Sequence, residues 1–294
     1  MPASAPIRKA VVSGRFYPAD PAILEKDILA FLNSGTETSR TADSGHATRP
    51  WALMLPHAGY IYCGRVLGAT LSGMTPPETV VILCPNHTGQ GHPLGVWPSG
   101  AWQTPLAAFP IEESLAADIS RQGEFAADTA SHLQEHSIEV LLPFLQVLAG
   151  EKKPNMVPIC VGTRKAETLQ RAGEALGAAL DKCNAAGQGV GLVISSDMNH
   201  YENEQVTLEK DRLALASILN GDPAGLLEVT MRRHISMCGA APMALALFAA
   251  RALGAPTAEL VCHDTSAAAS GDRERTVGYA GLRVYIEPQG AGGW

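Results

Sequence analysis

Short unbroken apolar runs alternate along this chain with segments whose apolar residues recur at helical spacing, predicting strands and helices in turn. Val80-Val81-Ile82-Leu83-Cys84 reads as a strand buried on both faces, and Pro85, lacking an N–H, should end its ladder. Trp51–Leu55, Leu94–Trp97, Met156–Val161 and Val190–Ser195 read as further strands. Asp20-Pro21 is an N-cap ahead of a proline at the first helical position, and Leu24, Ile28, Phe31 and Leu32 then share one helix face. Helices are also predicted over Val66–Leu71, over Ile111–Arg121, from Thr163 through Leu180, through Leu213 and Ile218 to Asn220-Gly221, and from Pro242 to Gly254. Ile138, Leu141, Leu142 and Leu145 predict one more, bent at Pro143, with Glu135 and His136 projecting from its first turn. The last apolar runs, Glu259–Cys262 and Val277–Ile286, are joined by the turn 271–275. Residues 33–50, almost all polar or small, are expected to form a mobile surface loop, and the glycine-rich tail 289–294 to be loose. Strands alternating with helices imply an α/β sheet with helices on both faces.

Chemistry gathers where the predicted strands end. Pro85-Asn86-His87-Thr88-Gly89 follows one strand and Pro56-His57-Ala58-Gly59 another, while Val190–Ser195 runs into Ser196-Asp197-Met198-Asn199-His200. Ligands of open α/β sheets bind at carboxyl ends of strands, so the repetition points to one shared site. Cys238 lies just ahead of a predicted helix amino terminus, where the dipole favours the thiolate. With His57 and His87 it makes a His/His/Cys set suited to Fe(II), Cu or Zn, with a coordination position left open. His200 has a side chain able to act as acid or base near neutrality. Asp197 could orient it, donate an oxygen to the metal, or simply cap the next helix. The site residues span 57 to 238, so residues 1–294 are read as one domain.

Composition narrows the partners. A formal charge of −7 without any basic run argues against nucleic acid. No apolar run approaches the ~20 residues of a membrane span, and the opening residues lack a signal-peptide pattern. None of the six cysteines forms a C-x-x-C pair, and Cys63, Cys84, Cys160 and Cys262 sit in or beside apolar runs as buried free thiols do. A reduced, cytoplasmic protein is expected. G-x-S-x-G, Walker A and Rossmann signatures are absent.

Taken together, Gly14-Arg15-Phe16-Tyr17-Pro18, Pro56-His57-Ala58-Gly59-Tyr60, Pro85-Asn86-His87, Glu135-His136-Ser137-Ile138-Glu139, Ser195–Tyr201, Cys238-Gly239 and Gly278-Tyr279-Ala280 resemble the Memo protein family, including bacterial members called AmmeMemoRadiSam system protein B. That family is similar in fold to the class III extradiol ring-cleaving dioxygenases. The resemblance implies a single α/β domain with a central mixed, largely parallel sheet. It also implies a metal pocket of His57, His87 and Cys238, lined by Asp197 and His200, with Glu135, His136, Asn86 and Tyr60 around it. Cys238 stands where the dioxygenases place a carboxylate, and a thiolate shifts metal preference. Three functions follow as expectations: a non-heme Fe(II) or copper oxygenase-like redox protein with His200 as acid/base, a protein binding a small molecule or (phospho)peptide, and a zinc hydrolase.

Overall fold

Asp20 opens the first helix as its place ahead of Pro21 predicts, its Oδ1 accepting the N–H groups of Ala22 (2.9 Å) and Ile23 (3.0 Å). These donors have no partner inside the first helical turn. In the computed structural model, which describes residues 6–39 and 49–288, this helix, α1, spans Pro21–Ser39. Residues 33–39 of the expected loop are therefore helical, because extending a formed helix adds a backbone hydrogen bond for each residue fixed, whatever its polarity. The rest of that loop, 40–48, and the tail 289–294 lie outside the described residues. Leu24, Ile28 and Leu32 are buried, and Phe31 packs half-buried against them.

The strands are β1 (Ile7–Arg8), β2 (Ala52–Leu55), β3 (Thr79–Pro85), β4 (Leu94–Val96), β5 (Ala101–Gln103), β6 (Ala108–Pro110), β7 (Ala126–Ala127), β8 (Asn155–Val161), β9 (Val190–Ser195), β10 (His200–Glu202), β11 (Gly254–Thr265) and β12 (Thr276–Pro288). After α1 come α2 (Tyr60–Leu71), α3 (Glu113–Ser120), α4 (Leu142–Ala149), α5 (Ala166–Ala185), α6 (Glu204–Leu219), α7 (Pro223–Arg232), α8 (Ala240–Leu253) and α9 (Ala267–Ser270). Nine of the described strands form one sheet, in the order β10-β12-β2-β9-β3-β8-β4-β7, with β11 also paired to β12. Its middle four, β2-β9-β3-β8, are parallel, and β12 and β4 flank them antiparallel. All seven residues of β3 are buried, as a strand covered on both faces requires. β1, β5 and β6 form a separate small sheet, so residues 90–109 hold more strand than the one expected at Leu94–Trp97.

Helices cover both faces of this single α/β domain. α2, backed by α1, packs on β2, β11 and β12, and α8, backed by α5, packs on β3 and β9. The α1–α2 crossing is tight enough that a Cβ on Gly68 would collide with the Phe31 carbonyl. Pro143 does not bend a helix. It sits in the first turn of α4, where its missing N–H costs nothing, after a short 3₁₀ turn at Glu139–Leu141. Glu135 and His136 consequently lie in the irregular stretch before that turn and not on a helix. All six cysteines are free; Cys63, Cys84 and Cys160 are buried as expected, whereas Cys262, on β11, is only half-buried.

One buried ion pair fastens the amino-terminal segment to the stretch that carries Glu135. Arg8 Nη1 donates to Glu139 Oε2 at 2.8 Å, both side chains being at most 2% exposed. Glu139 also accepts from the backbone N–H of Val11 and Val12 and from the Tyr17 hydroxyl. Truncating one partner strands a buried charge, at a cost of ~3–5 kcal/mol. We therefore expect Glu139→Ala to lower the urea unfolding midpoint by that amount of stability; an unchanged midpoint would show that the pair is dispensable.

Candidate metal centre

β9 runs between β2 and β3, with Leu55 opposite Ser195 and Leu83 opposite Ile194. Three adjacent carboxyl ends are thus placed side by side, and each carries its functional residue two positions beyond the last strand residue: His57 after Leu55, Asp197 after Ser195, His87 after Pro85. The strand-end pattern seen in the sequence is therefore a spatial cluster. Cys238 arrives from the connection between α7 and α8. Gly239 after it caps α8, and a Cβ there would collide with Ser196, so glycine lets this connection touch the end of β9.

A nitrogen of His57, a nitrogen of His87 and the sulfur of Cys238 lie within 4.8 Å of one another, with Cys238 Sγ 3.3 Å from His57 Nε2. Hydrogen bonds behind the rings fix which nitrogen is free. The Ser195 hydroxyl donates its only proton to the Ser137 carbonyl (2.7 Å). His57 Nδ1, 2.7 Å from the same oxygen, must then be the donor, leaving the Nε2 lone pair facing the cluster. Burial, reinforced by the neighbouring rings of His87 and His136, pushes the His57 pKa well below its ordinary value, so this ring is neutral and able to ligate.

His87 is held by Glu135 in the same manner. Its Nδ1 is 2.9 Å from Glu135 Oε1 and its backbone N–H donates to Oε2 at 2.7 Å. The buried carboxylate further accepts from the N–H groups of His136 and Ser137 and from the Ser137 hydroxyl. Burial opposes charge on Glu135, but the bonds and charge of His87, with Ser137 behind them, outweigh it and hold the carboxyl down at about 2. Burial likewise opposes a charged His87, and the hydrogen bond and charge of Glu135 overcome it, raising its pKa. The His136 ring lies nearly parallel to that of His87 at 5.1 Å between centroids. Cys238 differs: burial, followed by the charge of Asp197, drives its thiol well above the ordinary range.

His57, His87, His136 and Cys238 line a cavity of about 870 Å³, together with Asp197 and His200, while Glu135 lies behind them. His200 does not take its orientation from Asp197. Its Nδ1 donates to the Ser236 carbonyl (3.0 Å) and its backbone N–H to the Ser236 hydroxyl (2.7 Å), and among the described residues no side-chain hydrogen bond joins it to Asp197. Asp197 Oδ1 instead accepts the backbone N–H of His57 at 2.8 Å, with Oδ2 4.0 Å from His57 Nε2. It caps no helix either, since Asn203 caps α6. Burial raises the Asp197 pKa.

Two expected pocket residues lie elsewhere. Asn86 folds its own loop, its Oδ1 accepting from Thr88 and Gly89 and its Nδ2 donating to the Gln90 carbonyl. Tyr60 is a core residue whose hydroxyl donates to the Val140 carbonyl (2.7 Å). Conversely, Ser195 on His57 and Ser236 on His200, with Ser137 behind Ser195 and Glu135, are roles the sequence did not show: Ser195 and Ser137 fell within quoted motifs and Ser236 in none, because a serine that orients a ring through a long-range contact has no local pattern. Arg15, Tyr201 and Arg275 also line the cavity, and only Arg15 and Tyr201 fell within motifs noted in the sequence.

The depressed Glu135 pKa has a definite sign. A carboxyl lowered from 4.5 to about 2 stabilises the fold above its unfolded value, and that contribution is lost as pH falls through the folded value. Acid unfolding of chelator-treated protein should therefore steepen between pH 4.5 and about 2, and Glu135→Gln should flatten that limb. A variant with the wild-type acid slope would contradict the assignment.

The match to known proteins covers nearly the whole molecule. A family model described as Memo-like protein matches residues 8–283. The chain is 38% identical over 281 residues to a MEMO1 family protein of Methanopyrus kandleri, covering 94% of this chain and 98% of that one. It is 38% identical over 281 residues to another from Thermotoga sp. (strain RQ2), covering 92% and 97% of the two chains. A third, from Ignicoccus hospitalis, is 36% identical over 290 residues, covering 94% and 98%. Every residue of the His57/His87/Cys238 cluster falls inside the matched span, and the chain belongs to the Memo family.

Proposed function

We propose that this Memo-family protein is a metal-dependent redox protein of oxygenase type, with Fe(II) or copper held by His57, His87 and Cys238 and a small organic molecule bound in the cavity above. The observation that carries the reading is the convergence of three donor atoms within 4.8 Å, two of them imidazoles whose far nitrogens are engaged by Ser195 and Glu135. Such outer bonds orient metal-binding histidines and raise their basicity. The donor set fits a borderline or soft divalent ion, and a cation there supplies the charge that the half-buried Cys238 thiolate needs. Zinc would fit the same donors.

When bound, the ion supplies Lewis acidity and redox chemistry at the floor of the cavity. The chain's own residues do the remainder. Ser195 and Glu135 hold the two rings, and the three protein donors leave coordination positions open. His200, with Nδ1 committed to the Ser236 carbonyl, has Nε2 free to exchange a proton with a molecule in the cavity. Free thiols throughout suit a reducing, cytoplasmic setting, and no described helix is long and apolar enough to cross a membrane.

Metal analysis of protein purified without oxygen tests the assignment. Stoichiometric iron or copper supports the redox reading, stoichiometric zinc redirects it to hydrolysis, and absence of metal reduces the site to a binding pocket. His87→Ala should abolish metal binding while leaving the fold intact, because its half-exposed ring adds little to the core. Ser195→Ala removes the acceptor that fixes the His57 tautomer and should weaken metal affinity about 10–100-fold. Cys238→Glu should shift preference from Cu(I) toward Fe(II). Equal affinities for wild type and Cys238→Ser in an anaerobic competition titration would eliminate the thiolate as a ligand.

A further inference from the structure

The cavity carries two cations that the metal centre does not use. Arg15 and Arg275 both line it, and among the described residues neither forms an ion pair. Several other exposed arginines are paired, including Arg65 with Asp264 and Arg171 with Glu124, whereas Arg49, Arg212 and Arg251, also without an ion pair among the described residues, do not line this cavity. The contrast is sharpest two residues from Arg275, where Arg273 reaches Glu204 at 3.4 Å. In a chain of net charge −7, carboxylates are plentiful, yet the two that line this cavity, Asp197 and Asp272, form no ion pair with either guanidinium among the described residues.

Each arginine stands beside part of the centre. Arg275 lies over the Tyr201 ring, 4.8 Å from its centroid, and that ring is 5.6 Å from the ring of His200. Arg15 precedes Phe16, whose ring meets His136 edge-on at 5.0 Å. Tyr201 is 65% exposed, yet its backbone is held at φ 63°, a conformation that costs a non-glycine residue energy. Tyr201 is the extra residue of a β-bulge between His200 and Glu202, where β10 pairs with β12, and such bulges re-aim a side chain. The strained residue places an aromatic face under a guanidinium at the mouth of the cavity, a contact that orients the cation. Phe16, Tyr62 and Tyr279 add aromatic wall. Asp272 also lines the cavity, but its Oδ1 accepts the Glu274 N–H and closes its own turn.

We infer that Arg15 and Arg275 form an anion subsite, and that the ligand of this cavity is a small ring-bearing organic anion, its carboxylate or phosphate held at the mouth and its apolar body directed toward the metal centre. The volume of about 870 Å³ is that of small-molecule sites, typically ~300–1,000 Å³. Guanidinium groups offer paired N–H donors matched to carboxylate and phosphate oxygens. This rests on reading the cavity as the substrate chamber of the proposed centre, and it names the substrate class for it.

Calorimetric titration with benzoate, phenyl phosphate and benzyl alcohol at low ionic strength tests the subsite. One or both anions should bind at least about tenfold more tightly than the alcohol, the strength of a charge-assisted hydrogen bond at a partly exposed position. Which anion binds better identifies the group. Arg15→Gln and Arg275→Gln, both at exposed positions, should each weaken anion binding about tenfold and leave alcohol binding and metal content unchanged. Equal binding of anion and alcohol, no binding of either anion, or wild-type anion affinity in the double variant would each overturn the subsite. So would anion binding that disappears on chelation with both arginines intact, since the anion would then be a metal ligand. Metal content is measured on the same preparations. Anion binding that persists in protein lacking metal would sustain the subsite while the redox reading failed.

Discussion

The segment Ser131–Glu139 runs largely buried through the molecule without belonging to a sheet or, before its final turn, to a helix. Such backbone has no ladder or helix to satisfy its hydrogen-bonding groups, and leaving them unpaired costs free energy for each. Local turns satisfy some, such as Glu135 N–H on the His132 carbonyl, Arg8 donates to the His132 and Glu135 carbonyls, and two carboxylates tie the rest together. Glu135 turns back to accept the N–H groups of His136 and Ser137 while gripping His87. Glu139 gathers Arg8, Val11, Val12 and Tyr17. The same segment supplies the Ser137 carbonyl that sets the Ser195 hydroxyl and through it the His57 tautomer. One irregular stretch therefore holds the amino terminus, shapes the loop after β3 and orients both histidines. A buried carboxylate with this many donors is rigid, and a metal site needs rigidity behind its ligands.

Strand ends were legible in the sequence because burial on both faces leaves an unbroken apolar run, and a proline or serine followed by a titratable residue marks where it stops. His57, His87 and Asp197 could be read that way. Cys238 could be read because it precedes a helix start and a glycine. Their convergence depends on β9 inserting between β2 and β3, a long-range pairing that no local pattern encodes. Polar Asn33–Ser39 misled for the opposite reason: loss of apolar periodicity marks the end of packing, not the end of a helix. Pro143 looked like a kink because a 3₁₀ turn and the following helix share one continuous apolar stripe. Asn86 looked like a pocket residue from adjacency to His87, yet successive loop residues point in different directions, and its side chain closes a turn.

Cys238 exposes a conflict between two electrostatic effects. A helix amino terminus lowers a nearby thiol pKa, an effect of roughly 0.3–2 kcal/mol that fades within a turn. Removing the thiolate from water costs several kcal/mol. Cys238 lies outside the helix, ahead of Gly239, half-buried beside the charge of Asp197. Burial wins, and the thiol keeps its proton unless a cation is adjacent. A metal at the proposed centre would be that cation, and its binding and the release of the thiol proton would then be one event.

The same reasoning bears on why a carboxylate so near the donors does not take the sulfur's place. Asp197 Oδ2 lies 4.0 Å from His57 Nε2, close enough for the two to share an ion after a small shift. Its other oxygen, however, is spent on the His57 N–H at 2.8 Å, the bond that sets the chain's course past the end of β2. Turning the carboxyl toward a metal would sacrifice that bond and leave a buried N–H unpaired, at a cost of ~1–3 kcal/mol. Burial already disfavours the charged form of Asp197, so the cost would fall on a group with little to gain. The Cys238 sulfur also accepts a backbone N–H, that of Asp197 at 3.3 Å, but a thiolate sulfur has lone pairs enough to keep that bond while facing an ion. A fold alone does not dictate the chemistry of its site. Here the nearest carboxylate serves the backbone, and the soft donor is the one left free to face the ion.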